Sequence, residues 1–171
     1  MQFIVVSGVP GTGKSSVAEA IGRPLGIPVF AKDWLEATLR RSGLQGETGY
    51  AGYELLTTLA ERQLHLGQSV ILDSVASFER IRVQWRRLAE AYGADWRVIE
   101  CICSDLILQR QRIESRQRGI PGWHELTWAD VERVRRYYEP WQEERLVLDG
   151  IRPLSENIQS AVKYLSAEVN E

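Results

Sequence analysis

Short apolar runs recur along the chain, separated by longer segments in which apolar residues follow a helical period. The runs occupy residues 3–6, 29–31, 69–73, 96–103 and 146–149. Runs this rich in apolar residues are typical of strands buried on both faces, as in parallel sheets, although Arg97 and Glu100 interrupt the fourth run. The pattern therefore predicts five buried strands.

The segments between the runs place apolar residues three and four positions apart, as amphipathic helices do. After the first run, Val17, Ala18 and Ile21 share one face, and a Pro- and Gly-containing break follows at 23–28. The glycine-rich segment 43–52 is predicted to be a mobile loop, and 119–122 a second loop. Further helices are predicted at 34–39, 53–66, 78–92, 105–118, from 127 toward 144, and from 155 to about 167.

Strands that alternate with helices imply a parallel sheet with helices on both faces. A length of 171 residues suits one domain with a sizeable core. The predicted fold class is therefore α/β, with a five-stranded parallel sheet in a single domain over residues 1–171. Thr127 and Asp130 have the spacing of a capping box, and Ser155 is a favoured N-cap residue for the last helix.

The most specific motif directly follows the first strand. Residues 8–15, GVPGTGKS, match G-x-x-x-x-G-K-[ST] at every fixed position and lie between a predicted strand and a predicted helix. Gly8, Gly11 and Gly13 allow phosphate oxygens to approach the backbone closely, because they have no Cβ. Exposed N–H groups and the positive end of the next helix would then face the phosphates.

This motif also gives individual side chains a role. Lys14 would reach the β- and γ-phosphates of a nucleoside triphosphate, and the Ser15 hydroxyl would be a ligand of Mg²⁺. The alternative is a glycine-rich turn with a solvated lysine, but that alternative does not explain the flanking strand and helix. The residues expected to contact the nucleotide here are Gly8, Val9, Pro10, Gly11, Thr12, Gly13, Lys14, Ser15 and Ser16.

Two aspartates follow strands at the edge where open α/β sheets bind ligands. Asp73 ends the third strand and is a candidate Mg²⁺ ligand, or alternatively a residue that caps the next turn. Asp33 follows the second strand and could accept a proton from a substrate hydroxyl as that oxygen attacks the γ-phosphate. Because Asp33 and Glu36 also have the spacing of a helix start, Asp33 is alternatively an N-cap.

Arginine is dense in the segment 105–118, which together with the loop after it forms a candidate lid at about 105–126. Arg112 and Arg116 are four residues apart, so on a helix they would share a face and could neutralise a transferring phosphoryl group. A solvated basic face is the alternative. A nucleic-acid surface is a third interpretation, but no aromatic residues interleave these arginines. Trp34 and Trp123 are the tryptophans that could line an acceptor pocket.

Composition points to a cytoplasmic protein. A formal net charge of −2 gives no global attraction to nucleic acid or to membranes. No apolar run approaches membrane-spanning length and the N-terminus enters a strand directly, so we expect neither a membrane segment nor a signal peptide. Cys101 and Cys103 have neither a metal nor a redox spacing, and we expect reduced, buried thiols.

Four segments together resemble one family of enzymes. GVPGTGKS, AKDWLEATL, SVILDS and QRIESRQRG resemble the corresponding segments of small P-loop kinases of the AAA_33 type, a group near the chloramphenicol phosphotransferases and the zeta-toxin-like kinases. The resemblance extends over nearly the whole chain. It implies a P-loop NTPase fold with an arginine-rich lid, ATP and Mg²⁺ as cofactors, and a small molecule as the phosphate acceptor.

The resemblance also implies roles for single residues. Asp33 resembles the family's catalytic base, Asp73 its strand-three aspartate, and Arg112 with Arg116 its R-x-x-x-R lid pattern. The turn at 150–153, which contains Arg152, lies where related kinases hold the adenine. One departure is that many relatives have D-A-T-N after strand three, whereas this chain has D-S-V-A from residue 73.

The leading hypothesis is an ATP-dependent phosphotransferase that acts on a hydroxyl group of a small molecule, with Mg²⁺ bound and Asp33 as general base. A nucleotide switch would be expected to carry a guanine-selecting N-K-x-D segment, and the chain has none. A kinase of nucleic-acid ends is compatible with the arginine helices, but the acidic overall balance disfavours it. A toxin-like kinase of a nucleotide-sugar fits the predicted fold equally well, so the acceptor stays open.

Overall fold

A five-stranded sheet in which every pairing is parallel forms the centre of the computed structural model, which describes residues 1–44 and 48–167. The strands are β1 (Gln2–Ser7), β2 (Val29–Ala31), β3 (Val70–Asp73), β4 (Asp95–Ile102) and β5 (Leu146–Asp149). Their order in the sheet is β2-β3-β1-β4-β5, so the first strand is central and β2 and β5 form the edges. The predicted α/β fold class is confirmed.

Helices connect the strands in the alternating order that the sequence predicts. The helices are α1 (Lys14–Leu25), α2 (Lys32–Arg41), α3 (Gly49–His65), α4 (Glu79–Ala91), α5 (Leu106–Ser115), α6 (Trp128–Tyr137) and α7 (Leu154–Ser166). In the part of the chain that the structure describes, no helix is both long and apolar enough to cross a membrane.

Successive residues of β1 point to opposite faces of the sheet and so divide the core into two layers. Phe3 and Val5 pack in one buried cluster with apolar residues of α3 and α4. Ile4 and Val6 pack in a second buried cluster with apolar residues of α1 and α7. Because both faces of β1 are covered, its sequence is a continuous apolar run rather than an alternating one.

The register of the strands brings the candidate chemistry to one edge of the sheet. Val6 pairs with Asp73, and Asp73 pairs in turn with Ala31. The loop after β1, the start of α2 and the end of β3 therefore meet at the carboxyl ends of adjacent strands. Ligands bind at this edge in parallel α/β sheets.

Two helix boundaries near the N-terminus differ from the prediction. α1 includes Pro24 and ends only at Leu25, where Gly26 with a φ of 64° terminates it. α3 begins at Gly49, inside the segment predicted as a mobile loop at 43–52, of which residues 45–47 lie outside the described chain. Gly52 is a buried residue inside α3 and does not form a turn.

The predicted helix at 105–118 is too long. α5 ends at Ser115, because the backbone of Arg116 is extended, with φ −78° and ψ 145°. Arg112 and Arg116 therefore do not share a helical face, contrary to the prediction. The remainder of the candidate lid, 116–126, has no regular secondary structure.

The last two helices also differ at their ends. The capping box of Thr127 and Asp130 is confirmed, but α6 ends at Tyr137 instead of continuing toward 144. Tyr138 is already extended, with a ψ of 106°, and a helix that continued to 144 would have to contain Pro140 in its interior. Ser155 is not the N-cap of α7, because Pro153 occupies that position.

Candidate active site

The loop after β1 has a backbone that only glycine adopts easily. Gly8, Gly11 and Gly13 have φ values of 143°, 86° and 93°. At Gly8 a Cβ would also lie 2.2 Å from the carbonyl oxygen of Cys101, which no side chain could tolerate. Gly13 is the N-cap of α1 and provides no side chain to its first N–H groups. Those N–H groups form an anion-binding helix end.

Hydrogen bonds hold this loop in shape from within and from outside. Thr12 Oγ1 donates to the carbonyl oxygen of Val9 at 2.9 Å. Gln109 Nε2 of α5, fully buried, donates to the carbonyl oxygen of Pro10 at 2.7 Å. Gln109 Oε1 in turn accepts a hydrogen bond from Arg135 of α6. Gln109 is a contributor that sequence reasoning missed, because nothing in the motif identifies a distant glutamine.

A group of three polar side chains lies beside the loop and consists of Lys14, Ser15 and Asp73. Lys14 Nζ lies 3.9 Å from Asp73 Oδ1, and the two side chains are only 8% and 4% exposed. Burial raises the pKa of Asp73 above its ordinary value, and Lys14 and a hydrogen bond with Ser15 only partly offset this. Among the described residues, no hydrogen-bond donor reaches Asp73 Oδ1.

These residues fit the magnesium ion predicted from the motif. A buried carboxylate oxygen without a donor beside a serine hydroxyl is the oxygen donor set that Mg²⁺ prefers. The described part of the chain has no cluster of three or more acidic, histidine or cysteine side chains that could hold a metal. Such a cluster is not required, because Mg²⁺ in phosphoryl-transfer sites takes most ligands from substrate phosphates and water.

Asp33 lies in the first turn of α2, where Ala31 and not Asp33 is the N-cap. Its Oδ2 forms an ion pair with Arg118 from the irregular segment after α5. Burial would raise the pKa of Asp33, but Lys14 and Arg118 outweigh it and hold the pKa below its ordinary value of 3.8. Asp33 is therefore a carboxylate at neutral pH, held in place by an arginine that the sequence did not single out.

The two arginines predicted to bind the phosphoryl group, Arg112 and Arg116, both line a different cavity from Asp33. Arg112 Nη2 donates to the carbonyl oxygen of Gly150 at 2.8 Å. Arg116 Nε is buried without a hydrogen-bond partner among the described residues. Burial and the charge of Arg118 lower the pKa of Arg116. The two predicted arginines thus lie near one cavity, although not through a shared helical face.

That cavity, the P-loop cavity, has a volume of about 420 Å³ and lies against the start of α1. Arg152, predicted as a nucleotide contact, lines this cavity and pairs with Glu156 at 3.0 Å. The predicted nucleotide contacts that do not line it are Gly8, Val9, Pro10, Lys14 and Ser15. The cavity is lined by Gly11, Thr12, Gly13, Ser16, Val17, Cys101, Arg112, Ser115, Arg116, Leu148, Gly150, Arg152, Leu154 and Asn157.

A second cavity, the Asp33 cavity, has a volume of about 460 Å³ and is lined by both Lys14 and Asp33. Trp123 lines it, as predicted for an acceptor pocket, whereas Trp34 is 48% exposed and is not a lining residue. The other lining residues are Pro10, Lys32, Glu36, Arg40, Gly49, Tyr50, Tyr53, Val75, Ser77, Phe78, Arg80, His124, Leu126, Asp130, Arg133, Val134 and Tyr137.

The glycine loop, its helix and the parallel sheet define a P-loop protein. The model of the AAA_33 family, described as an AAA domain, matches residues 3–141, and the chain belongs to this family. A UPF0200 protein of Aeropyrum pernix is 31% identical over 151 residues, which cover 77% of this chain and 74% of that protein. An uncharacterized protein of Mycobacterium tuberculosis is 31% identical over 134 residues, 70% of this chain. The chain spans only 26% of that relative's length.

Solved structures of similar fold include several kinases. A candidate kinase of Chloroflexus aurantiacus has a TM-score of 0.76 and 22% identity, covering 96% of this chain and 98% of that one. A gluconokinase of Sinorhizobium meliloti has a TM-score of 0.72 and 21% identity, covering 96% and 91%. The APS kinase of Mycobacterium tuberculosis, solved with AMPPNP and APS, has a TM-score of 0.66 and 21% identity, covering 97% and 98%. The chain thus has the fold of P-loop kinases.

Proposed function

We propose that this protein is an ATP-dependent phosphotransferase that moves the γ-phosphoryl group to a hydroxyl of a small molecule. The observation that carries the proposal is the pair of cavities beside the phosphate-binding loop. Gly13 lines one of them, and Lys14 and Asp33 line the other. Such an arrangement suits two substrates that meet at Lys14. Structures of the same fold that are named as kinases support this assignment.

In this proposal the nucleotide occupies the P-loop cavity. The first N–H groups of α1 and Lys14 bind the phosphates, and Arg112 and Arg116 add positive charge from the cavity wall. Arg152, which lines this cavity, would lie near the adenine ring of ATP. Mg²⁺, held by Ser15 and Asp73, would neutralise phosphate charge when bound.

Asp33 would act on the acceptor from the second cavity. As the acceptor oxygen attacks, its bond to the γ-phosphorus forms, the bond from phosphorus to the β-bridging oxygen breaks, and the hydroxyl proton passes to Asp33. ADP is the leaving group. Arg118 binds Oδ2 of Asp33, so Oδ1 is left to receive the proton. Positioning and charge stabilisation would supply most of the rate.

The proposed setting is the cytoplasm, where ATP is abundant and free thiols such as the buried Cys101 and Cys103 stay reduced. The test is transfer of labelled γ-phosphate from ATP to a panel of hydroxyl compounds, together with calorimetric titration of ATP and GTP. We expect ATP to bind in preference to GTP and at least one hydroxyl compound to receive label. Absence of ATP binding would refute the proposal.

A further inference from the structure

The walls of the Asp33 cavity carry an excess of positive charge, part of which surrounds Glu36. This carboxylate is shared by Lys32 Nζ at 2.6 Å and Arg40 Nη2 at 2.8 Å. Burial would raise the pKa of Glu36, but Lys32, Thr48 and Arg40 outweigh it and lower the pKa, so Glu36 is ionised. Two cations therefore face one anion, and the cluster has a net charge of +1.

Arg80 is a second cation, and among the described residues it has no compensating charge. It lines the same cavity, yet none of the ion pairs in the described part of the chain includes it. Its guanidinium instead stacks over the rings of Tyr50, at 4.7 Å, and Phe78, at 5.8 Å. Arg80 is also the second residue of α4, where the positive end of the helix makes a cation unfavourable.

The remaining cations of the site are balanced. Arg133 pairs with Asp130 at 2.7 Å, and Arg118 pairs with Asp33. Lys14 lies beside Asp73 and faces the phosphate-binding loop. The described walls of the cavity therefore keep about two uncompensated positive charges, one at Arg80 and one in the Glu36 cluster.

Aromatic rings form the apolar part of the same cavity. Tyr50, Tyr53, Phe78 and Tyr137 all line it. Phe78 and Tyr137 are stacked, with ring centroids 5.6 Å apart and an interplanar angle of 9°. A volume of about 460 Å³ lies within the range of small-molecule sites. Such a wall suits a ring or hydrocarbon body.

We propose that the acceptor is a small organic anion: its carboxylate or phosphate binds Arg80 and the Lys32–Arg40 pair, its body lies on the aromatic wall, and its hydroxyl meets Asp33. This inference rests on the function proposed above and narrows the acceptor class. Cationic acceptors are disfavoured, because they would add to the existing excess of positive charge.

Matched acceptors test the proposal in the transfer assay. One set is glycerol, glycerate and glycerol 3-phosphate, and the other is 4-(hydroxymethyl)benzamide and 4-(hydroxymethyl)benzoate. We expect an anionic member to exceed its neutral partner in kcat/KM by about tenfold or more, mainly through KM. The comparison of glycerate with glycerol 3-phosphate shows whether the site prefers a carboxylate or a phosphate. Neutral members that are equal or better would overturn the proposal, as would faster transfer to a 5′-hydroxyl oligonucleotide.

Variants of α4 assign the effect to one side chain. Arg80→Gln should lower kcat/KM for the anionic members by about tenfold and so remove most of their advantage over the neutral members. Arg87→Gln is the matched control, because Arg87 is exposed on the same helix and does not line the cavity. The assignment would be contradicted if Arg80→Gln lowered kcat/KM equally for neutral and anionic acceptors. It would also be contradicted if Arg87→Gln lowered kcat/KM for the anionic acceptors as much as Arg80→Gln does.

Calorimetric titration of the same compounds gives a readout that does not need transfer. We expect the anionic members to bind at least about tenfold tighter than the neutral ones, with the preference lost in Arg80→Gln. If no compound binds, or all bind equally, the acceptor class is wrong even if ATP binds. If the anionic preference appears without ATP binding, the phosphotransferase proposal fails while the anion site stands.

Discussion

At the scale of single residues, the main finding is that Asp33 stays ionised although it is mostly buried. Its side chain is 20% exposed and is placed between Lys14 and Arg118. Two cations thus replace the water that a carboxylate normally needs. The sequence could predict Asp33 from its place after a strand. It could not predict Arg118, because the contact depends on the path of an irregular segment.

Removing the negative charge of Asp33 should slow phosphoryl transfer without weakening ATP binding. Asp33→Asn keeps the size of the side chain but cannot accept the hydroxyl proton, so we expect phosphoryl transfer to fall by about 10²–10⁴-fold. ATP affinity, measured by calorimetry, should change little. Asp95→Asn, at an exposed position at the start of β4, is the control and should behave like the unchanged protein. Full turnover in Asp33→Asn would remove Asp33 from the mechanism.

Arg118 should set the acid side of the pH–rate profile. Because the pKa of Asp33 is lowered, its carboxylate persists as pH falls. At saturating Mg²⁺, which keeps Asp73 ionised, protonation of Asp33 should therefore lower kcat/KM only well into the acid range. Arg118→Gln removes one of the charges that oppose burial, so the pKa rises and activity should begin to decline at a higher pH. The control is Arg110→Gln, since Arg110 is exposed and pairs with Glu114. If the pH–rate profile of Arg118→Gln coincided with that of the unchanged protein, Arg118 would not lower the pKa of Asp33.

At the scale of elements, the strands are the most predictable part of the molecule. Each predicted run gives its strand to within one residue at each end, because the strands lie between two helical layers and are mostly apolar, although β4 also contains the buried Arg97 and Glu100. Helix ends are less predictable where tertiary contacts decide. α5 ends at Ser115, Arg116 is extended, and the irregular residues after it lead to the contact between Arg118 and Asp33.

The link between α5 and the phosphate-binding loop is a testable element contact. Gln109→Leu keeps the approximate volume but leaves the carbonyl of Pro10 and the guanidinium of Arg135 without their partner. We expect a loss of about 1–3 kcal/mol in the free energy of unfolding, measured in urea, together with weaker ATP binding. Gln111→Leu, exposed on the same helix, is the control. Unaltered ATP affinity in Gln109→Leu would show that the loop holds its shape unaided.

At the scale of the whole molecule, the strand order makes one edge of the sheet the meeting point for distant segments. β1 lies between β3 and β4, so the phosphate-binding loop and Lys14 come together with Asp33 of α2, Asp73 of β3 and Gln109 of α5. The motif alone predicts the loop and its lysine. The second cavity could not be predicted, because its walls come from six separate segments between residues 10 and 137 whose convergence only the fold decides.

A site built from so many segments should stabilise the entire domain when it is filled. A ligand at a hundred times its dissociation constant adds about 2.7 kcal/mol to the free energy of unfolding, which for a domain of this size raises Tm by about 5–10 °C. ATP with Mg²⁺ should therefore raise Tm in a thermal scan of the unchanged protein. Lys14→Ala should abolish that increase in Tm, because the backbone N–H groups of the loop alone, without the positive charge of Lys14, would have to bind the phosphates. Lys163→Ala, exposed on α7, should retain it. An increase of equal size in Lys14→Ala would mean that the nucleotide binds elsewhere, and the Asp33 cavity would then lose its role as the acceptor site.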